Sequence, residues 1–424
     1  MRSLSLLWVS QQPPSPPRFG AQVRMHGLMT AMAERHELSC VCFAEPELVD
    51  EARRALGAYC RDVELVLDPI SGTPARKRLL QLRSLASLRS SEARLFTRAG
   101  LQGRIDALLA RRRFDAVCLE GPFVARYRFR APRGGAPSPP LVLGEHNVEW
   151  DVRRQVAGGG HAGPLRRLFA AMDWRKMRRE EEALWGRVDA VAVPSEADAR
   201  RVRAARPSAR VAVVPNGVDV ERYRPRASDP APDPHTILFF GALDYWPNVE
   251  GLLFFLDEVW PRLAETHPAA RLRILGRRPH PALLARRGPR VEVPGFVEDL
   301  RPSLAAAAAV VVPLRLGGGT RLKILEAMAM ARPIVSTTLG AEGIDAVPGR
   351  ELLVADDAAR FAAAVRRLLD DPTLGSRLGR AARELVEARY AWRASAKALE
   401  ALLLELCGRA PSRAEAGREV AGPA

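Results

Sequence analysis

The sequence predicts an α/β protein of two doubly wound parallel-sheet domains facing a central cleft. Its 424 residues exceed what one hydrophobic core organises. Short apolar runs alternate with helix-length periodic segments along the chain, the pattern of parallel strands joined by helical crossovers. A Pro/Asp-rich stretch, "ERYRPRASDPAPDPH" from Glu221 to His235, interrupts the alternation near the middle and reads as a linker.

In the first domain, expected over residues 1–220, the strand runs are "LSLLWV", "LSCVCF", "VELVL", "DAVCLE", "PLVLGEH", "DAVAVPS" and "ARVAVVPNGV". The apolar stretch Leu4 to Val9 breaks at Gln11; it is too short for a signal-peptide core, lacks a cleavage site of small residues, and reads as the first buried strand. In the second domain, expected over 236–390, the runs are "TILFFGAL", "ARLRILG", "VEVPGFV", "AAVVVPL", "RPIVSTTLG" and "ELLVA". A final helix over 391–407, "WRASAKALEALLLELC", is expected to pack back toward the first domain, and 408–424 reads as a disordered tail. In sheets of this kind ligands bind at the carboxyl ends of the strands.

With 47% hydrophobic, 6% aromatic and 27% charged residues the chain reads as soluble and globular. No apolar run approaches the ~18 residues that span a membrane. Cys40, Cys42, Cys60, Cys118 and Cys407 lack metal-ligand spacing and read as small hydrophobes of a reduced cytosol. The net charge of +16 is concentrated in Pro74 to Arg113, where the only acids are Glu92 and Asp106. Leu79, Leu82, Leu85 and Leu88 recur there at helical spacing, so the segment reads as a basic amphipathic helix. It is either a solvated face or a contact for an anionic membrane surface. Nucleic acid is disfavoured, because aromatic–basic interleaving and zinc spacing are both missing.

The most informative stretch is "GGGTRLKILEAMAMARPIVSTTLGAEGI" from Gly317 to Ile344. It follows the strand run "AAVVVPL" and leads into an apolar-periodic helix, so Gly317, Gly318, Gly319 and Thr320 form a strand-to-helix turn at the binding edge. Glycines permit close backbone approach, and the free amides of a helix start favour an anion. Arg321 and Lys323, one of only four lysines, are cations where a helix prefers acids. Either the turn simply presents two solvent-facing cations, or an arriving anion such as a diphosphate resolves that conflict. The loop is not a P-loop, since the GK[ST] ending is absent. Glu326 lies three residues after Lys323 on the same face, where its carboxylate suits a ribose diol better than a phosphate.

"VVPLRLGGGTRLKILEAMAMARPIVSTTLGAEGI" resembles the signature of glycosyltransferase family 4, retaining enzymes of the two-Rossmann, B-type fold. "VAVVPNGVDVERYRP", "ILFFGALDYWPNVEG" and "VEVPGFVEDLRPSLAAAAAVVVPL" fall at that family's hinge, first C-domain loop and base-binding loop, and the resemblance covers residues 184–390. "PPRFGAQVRMHGLMTAMAERHEL" and "LVLGEHNVEWD" are similar to the exopolysaccharide-biosynthesis branch. The resemblance implies that Glu326 is the ribose-binding second glutamate of the family's paired-glutamate motif. The first glutamate is replaced by Gly318, so its contacts to the donor sugar are absent or supplied by loop amides. The first C-domain loop, Gly241 to Asn248, lacks the Arg and Lys common in the family; Arg321 and Lys323 are read as the replacement charge. Gly295, Phe296 and Val297 would form the base pocket through backbone groups. Gly20 and Ala21 match the N-domain loop near the donor phosphates, where a plain turn serves as well. His146 is either a group beside the reacting sugar or a satisfied structural histidine. Glu120 stands where many relatives have histidine and has no assigned role. Asn216-Gly217 reads as a hinge turn.

The resemblance thus implies a retaining hexosyltransferase that moves a sugar from a UDP or GDP donor to a glycan or lipid-linked acceptor in exopolysaccharide or cell-surface polysaccharide synthesis. It would be cytoplasmic, or peripheral on the inner face of the cell membrane, with no cofactor and no metal requirement. A sugar-nucleotide epimerase, a pyridoxal-dependent phosphorylase and a non-catalytic binding relative share the fold.

Overall fold

The computed structural model describes residues 3–67, 87, 89–96, 98–130, 138–158 and 164–408. They form two compact units, each with one parallel sheet. The first unit comprises the described residues of Met1–Trp150, Ala162–Val214 and Arg393–Ala424; the second comprises those of Asp151–His161 and Pro215–Trp392.

The first sheet has seven strands: β1 (Ser5–Ser10), β2 (Glu37–Ala44), β3 (Asp62–Leu67), β4 (Ala116–Glu120), β5 (Leu141–Gly144), β6 (Ala190–Val193) and β7 (Val211–Val213). Their order is β3-β2-β1-β4-β5-β6-β7, with β1 pairing Trp8 to Cys40 on one side and to Cys118 on the other. Central strands are apolar on both faces because helices cover both. Leu7, Val9, Val41, Phe43, Val117 and Leu119 face the helix Ala99–Arg111, which contributes Leu101, Ile105, Leu108 and Leu109. Burying each of those side chains contributes about 1.5–3 kcal/mol.

That helix revises part of the basic-segment reading. Its apolar face is spent on the core, and Arg104 and Arg111 pair with Glu64, while Arg112 reaches Glu37 and Asp62. These arginines neutralise the acids of neighbouring strands. Leu79, Leu82, Leu85 and Leu88 lie outside the described residues. Among the described residues no helix is long and apolar enough to cross a membrane.

The second sheet has six strands: β8 (Asp233–Phe240), β9 (Arg271–Leu275), β10 (Val291–Gly295), β11 (Ala307–Val312), β12 (Ile334–Ser336) and β13 (Leu353–Val354), ordered β10-β9-β8-β11-β12-β13. Period-two alternation splits β8 between two cores. Ile237 and Phe239 face one side; Leu238 and Phe240 face the other with Ile324, Leu325 and Met328. The helix Leu322–Ala329 is thereby fixed flat against the sheet.

Two boundaries differ from expectation. The units divide at Val214, before residue 220, because Pro215 to Tyr223 pack with the second unit; Val218 N donates to the Tyr390 carbonyl at 2.8 Å. β8 starts at Asp233, inside the expected linker 221–235, where Asp233 accepts from the Thr236 hydroxyl at 2.7 Å. From Arg393 onward the helix Trp392–Leu406 belongs to the first unit, where Glu400 meets His36 at 3.0 Å and Arg35 at 3.1 Å.

Candidate functional site

Parallel strands of the second sheet end along one edge, and four of these ends carry the candidate residues. Gly276, after β9, sits so close to Gly241, after β8, that a Cβ there would stand 1.8 Å from the Gly241 oxygen; only glycine fits. Gly276 N donates to the carbonyl of Gly295, the last residue of β10, at 2.8 Å. Gly241 in turn borders Lys323, since a Cβ on Gly241 would lie 2.9 Å from Lys323 Nζ. The row Gly295, Gly276, Gly241, Lys323 follows the strand order β10-β9-β8-β11. It collects residues that are far apart in sequence on one ledge.

The glycine-rich turn after β11 is tightly braced. Gly317 and Gly319 have φ of 109° and 73°, the left-handed region that favours glycine. Thr320 is buried, and its carbonyl accepts from Asn216 Nδ2 at 3.1 Å. Gly317 N donates to Gln155 Oε1 at 2.9 Å, and a Cβ on Gly318 would lie 3.2 Å from Val152 Cγ2. Part of the space beside Gly318 is thus held by Val152. Arg321 folds back onto the turn, its Nη1 donating to the Gly318 carbonyl.

Lys323 Nζ donates to Asn248 Oδ1 at 2.8 Å and sits 4.1 Å from the centre of the Phe239 ring. Burial, then the nearby Arg321, hold its amine down to about 7, while Glu326 opposes them. One turn on, Glu326 Oε1 accepts from the Tyr223 hydroxyl at 3.1 Å. Burial pushes its carboxyl up to about 7, against the lowering effect of Tyr223, Arg222 and Lys323. Tyr223 is itself fixed: Arg383 Nη1 donates to the carbonyls of Tyr223 at 2.7 Å and Ala329 at 2.6 Å. Of the residues expected at the base, Phe296 is exposed with the Arg277 guanidinium 4.1 Å from its ring centre, and Val297 packs partly into the core.

The remaining candidates belong to the first unit. Gly20 and Ala21 open the helix Gly20–Ala33, which has no side-chain cap. Glu120 ends β4, buried; its Oε1 accepts from Trp8 Nε1 at 3.0 Å and its Oε2 lies 3.3 Å from His146 Nε2. Burial pushes Glu120 up to about 7, opposed by Arg24 and the Trp8 bond. Burial and then Arg24 hold His146 down to about 3, so its imidazole is neutral at pH 7. A Cβ on Gly144 would stand 3.0 Å from Glu120 Oε2, so a side chain there would require Glu120 to shift. Asn248, Tyr223 and Gln155 carry no local signal in the sequence, and Asn216 reads there as part of a hinge turn; only the contacts bring these four side chains to the site.

Two family models match the chain: one described as Glycosyltransferase Family 4 over residues 20–222, the other as Glycosyl transferases group 1 over residues 234–371. Together the two matches take in most of the chain, and the two parallel-sheet units have the glycosyltransferase B-type, two-Rossmann-like fold. By sequence the chain is 32% identical to a glycogen synthase of Mycobacterium tuberculosis over 200 residues, 45% of this chain and 47% of that protein. It thus spans about half the length of that curated relative. By structure it is similar to a sucrose-phosphate synthase from Thermosynechococcus elongatus, with a TM-score of 0.69 and 19% identity over 96% of this chain and 100% of that one. Anabaena HepE in complex with UDP and glucose superposes with a TM-score of 0.62 and 14% identity, over 94% and 99% of the two chains. Identities this low speak for the shared fold alone.

Proposed function

We propose that this chain transfers a sugar from a nucleoside-diphosphate donor to a glycan or lipid-linked acceptor, keeping the donor's anomeric configuration. The observation that carries this reading is the ledge itself. Lys323 stands in one row with Gly241 and Gly295, the glycine-rich turn comes just before it in the chain and Glu326 one helical turn after it; a cation and amides suit a diphosphate, and a carboxylate suits a ribose. Nearer β10, the backbone at Gly295 to Val297 would take the base.

In the reaction, the bond from the anomeric carbon to the donor diphosphate breaks as the acceptor hydroxyl bonds to that carbon on the same face. The acceptor proton passes to the departing diphosphate. Lys323 and the amides of Gly317 to Thr320 stabilise the charge that develops there, an electrostatic form of catalysis. Arg321 joins them by swinging off the Gly318 carbonyl. Because these groups already neutralise the leaving group, a divalent ion is dispensable. The roles of His146 beside the donor sugar and of Gly20 and Ala21 near its phosphates rest on the sequence resemblance alone.

A place in exopolysaccharide or cell-surface polysaccharide synthesis, at the cytoplasmic face of the membrane, fits the sequence resemblance. The test is a thermal-shift screen of UDP- and GDP-sugars, followed by release of nucleotide with and without acceptor. Acceptor-dependent release supports transfer. Release of epimerised donor without acceptor would make the chain an epimerase, and binding without turnover would make it a non-catalytic relative.

A further inference from the structure

The loop Gly241 to Asn248 contains no cation of its own, yet an ammonium is placed against it. Lys323 Nζ donates to Asn248 Oδ1 at 2.8 Å, and Asn248 Nδ2 donates to the Ala242 carbonyl at 2.8 Å. The amide's orientation is fixed by chemistry: an ammonium can only donate and a carbonyl can only accept. Asn248 is buried in the first turn of the helix Trp246–Phe254, so it does not follow solvent. One side chain therefore ties the loop after β8 to the helix after β11. A lysine on its flexible four-carbon stem has no such fixed direction by itself.

We infer that Asn248 is a positioning residue: it aims the Lys323 ammonium at the loop backbone so that a diphosphate meets a preset cation. This rests on the donor-site reading above. The charged groups facing Lys323 are Arg321 and Glu326 of its own turn and helix. The groups touching it from other elements, Asn248, Phe239 and Gly241, are uncharged. Among the described residues outside that helix, the amide oxygen of Asn248 and the face of the Phe239 ring favour the charged amine, and removing the amide oxygen should depress the amine further.

Two measurements separate the inference from the reading beneath it. The chain's four lysines, Lys77, Lys176, Lys323 and Lys397, make Lys323 easy to follow by trace acetylation across pH with peptide mass spectrometry on the ligand-free protein. Relative to wild type, the Lys323 titration should fall in Asn248→Ala, stay near wild type in Asn248→Ser and rise in Asn248→Asp. Affinity for UDP and GDP should drop about tenfold in Asn248→Ala, the scale of one charge-assisted bond. In Lys323→Ala, adding Asn248→Ala should cost nothing more. An unchanged Lys323 titration in Asn248→Ala, or losses that add in full, would overturn the inference. If wild type binds neither nucleotide, the donor reading fails, and the titration alone still decides whether Asn248 governs Lys323. Melting curves identify any variant that fails to fold, and Asn248→Ser keeps the test available if Asn248→Ala does.

Discussion

Glu326 gives a prediction whose size follows from its surroundings. Burial holds its carboxyl up to about 7, and the Tyr223 hydroxyl, 3.1 Å from Oε1, pulls the other way by favouring the ionised form. If the ionised carboxylate accepts from a ribose diol, donor affinity falls as pH drops through 7, by up to about tenfold per pH unit, or 1.4 kcal/mol. Tyr223→Phe removes a hydrogen bond to a charged group, about 1.5–3 kcal/mol, which corresponds to raising the carboxyl by roughly one to two units. At pH 7, where the wild-type carboxyl is half ionised, this variant should therefore bind nucleotide about five- to fiftyfold more weakly than wild type, and largely recover at pH 9. Glu326→Gln has no titrating group and should be weak at both. The assay is isothermal titration with UDP and GDP from pH 5.5 to 9, with Glu326→Gln run alongside to cancel the ionisation of the ligand's own phosphate. An acid limb of equal slope in wild type and Glu326→Gln would refute the ribose role. A Tyr223→Phe deficit that persists unchanged at pH 9 would refute the electrostatic part of the argument.

Lys323→Met should raise the melting temperature at pH 7 while weakening nucleotide binding at least tenfold. Its amine is held down to about 7, so the ionised form costs stability fully below that pH, and the cost fades as pH rises toward the ordinary lysine range. A melting temperature that falls in Lys323→Met would contradict this. Gly241→Ala should lose donor binding, because the new Cβ would stand 2.9 Å from Lys323 Nζ and 3.2 Å from Asn248 Nδ2; calorimetry showing wild-type affinity would refute the ledge geometry. Transfer should continue in EDTA, and proton NMR should find the donor's anomeric configuration kept in the product. Activity lost in EDTA and restored by Mg²⁺ or Mn²⁺, or an inverted product, would count against the proposed mechanism. Sedimentation with vesicles tests the segment 74–113: binding to anionic but not neutral lipid, weakening with salt, supports a membrane contact, and its absence returns the segment to a solvated face.

The strands were legible because their signal is local. Every run quoted for the two sheets coincides with one of β1 to β13, since apolar β-rich runs and glycine turns act within a few residues. Lys323 and Glu326 could be placed on one face for the same reason, as helical spacing alone brings them together. What occupies that face was decided by topology. Asn248 meets Lys323 across 75 residues and Tyr223 meets Glu326 across 103, contacts that exist only once β8 lies beside β11 and Arg383 fastens Tyr223 next to the helix Leu322–Ala329. The same holds for Glu120, which sequence left without a role. Its partners Trp8 and His146 come from β1 and from just beyond β5, the strands that flank β4 in the sheet. Local pattern set which elements form and where glycine is required; sheet order set which side chains meet, because partners that distant are chosen only when the strands are stacked.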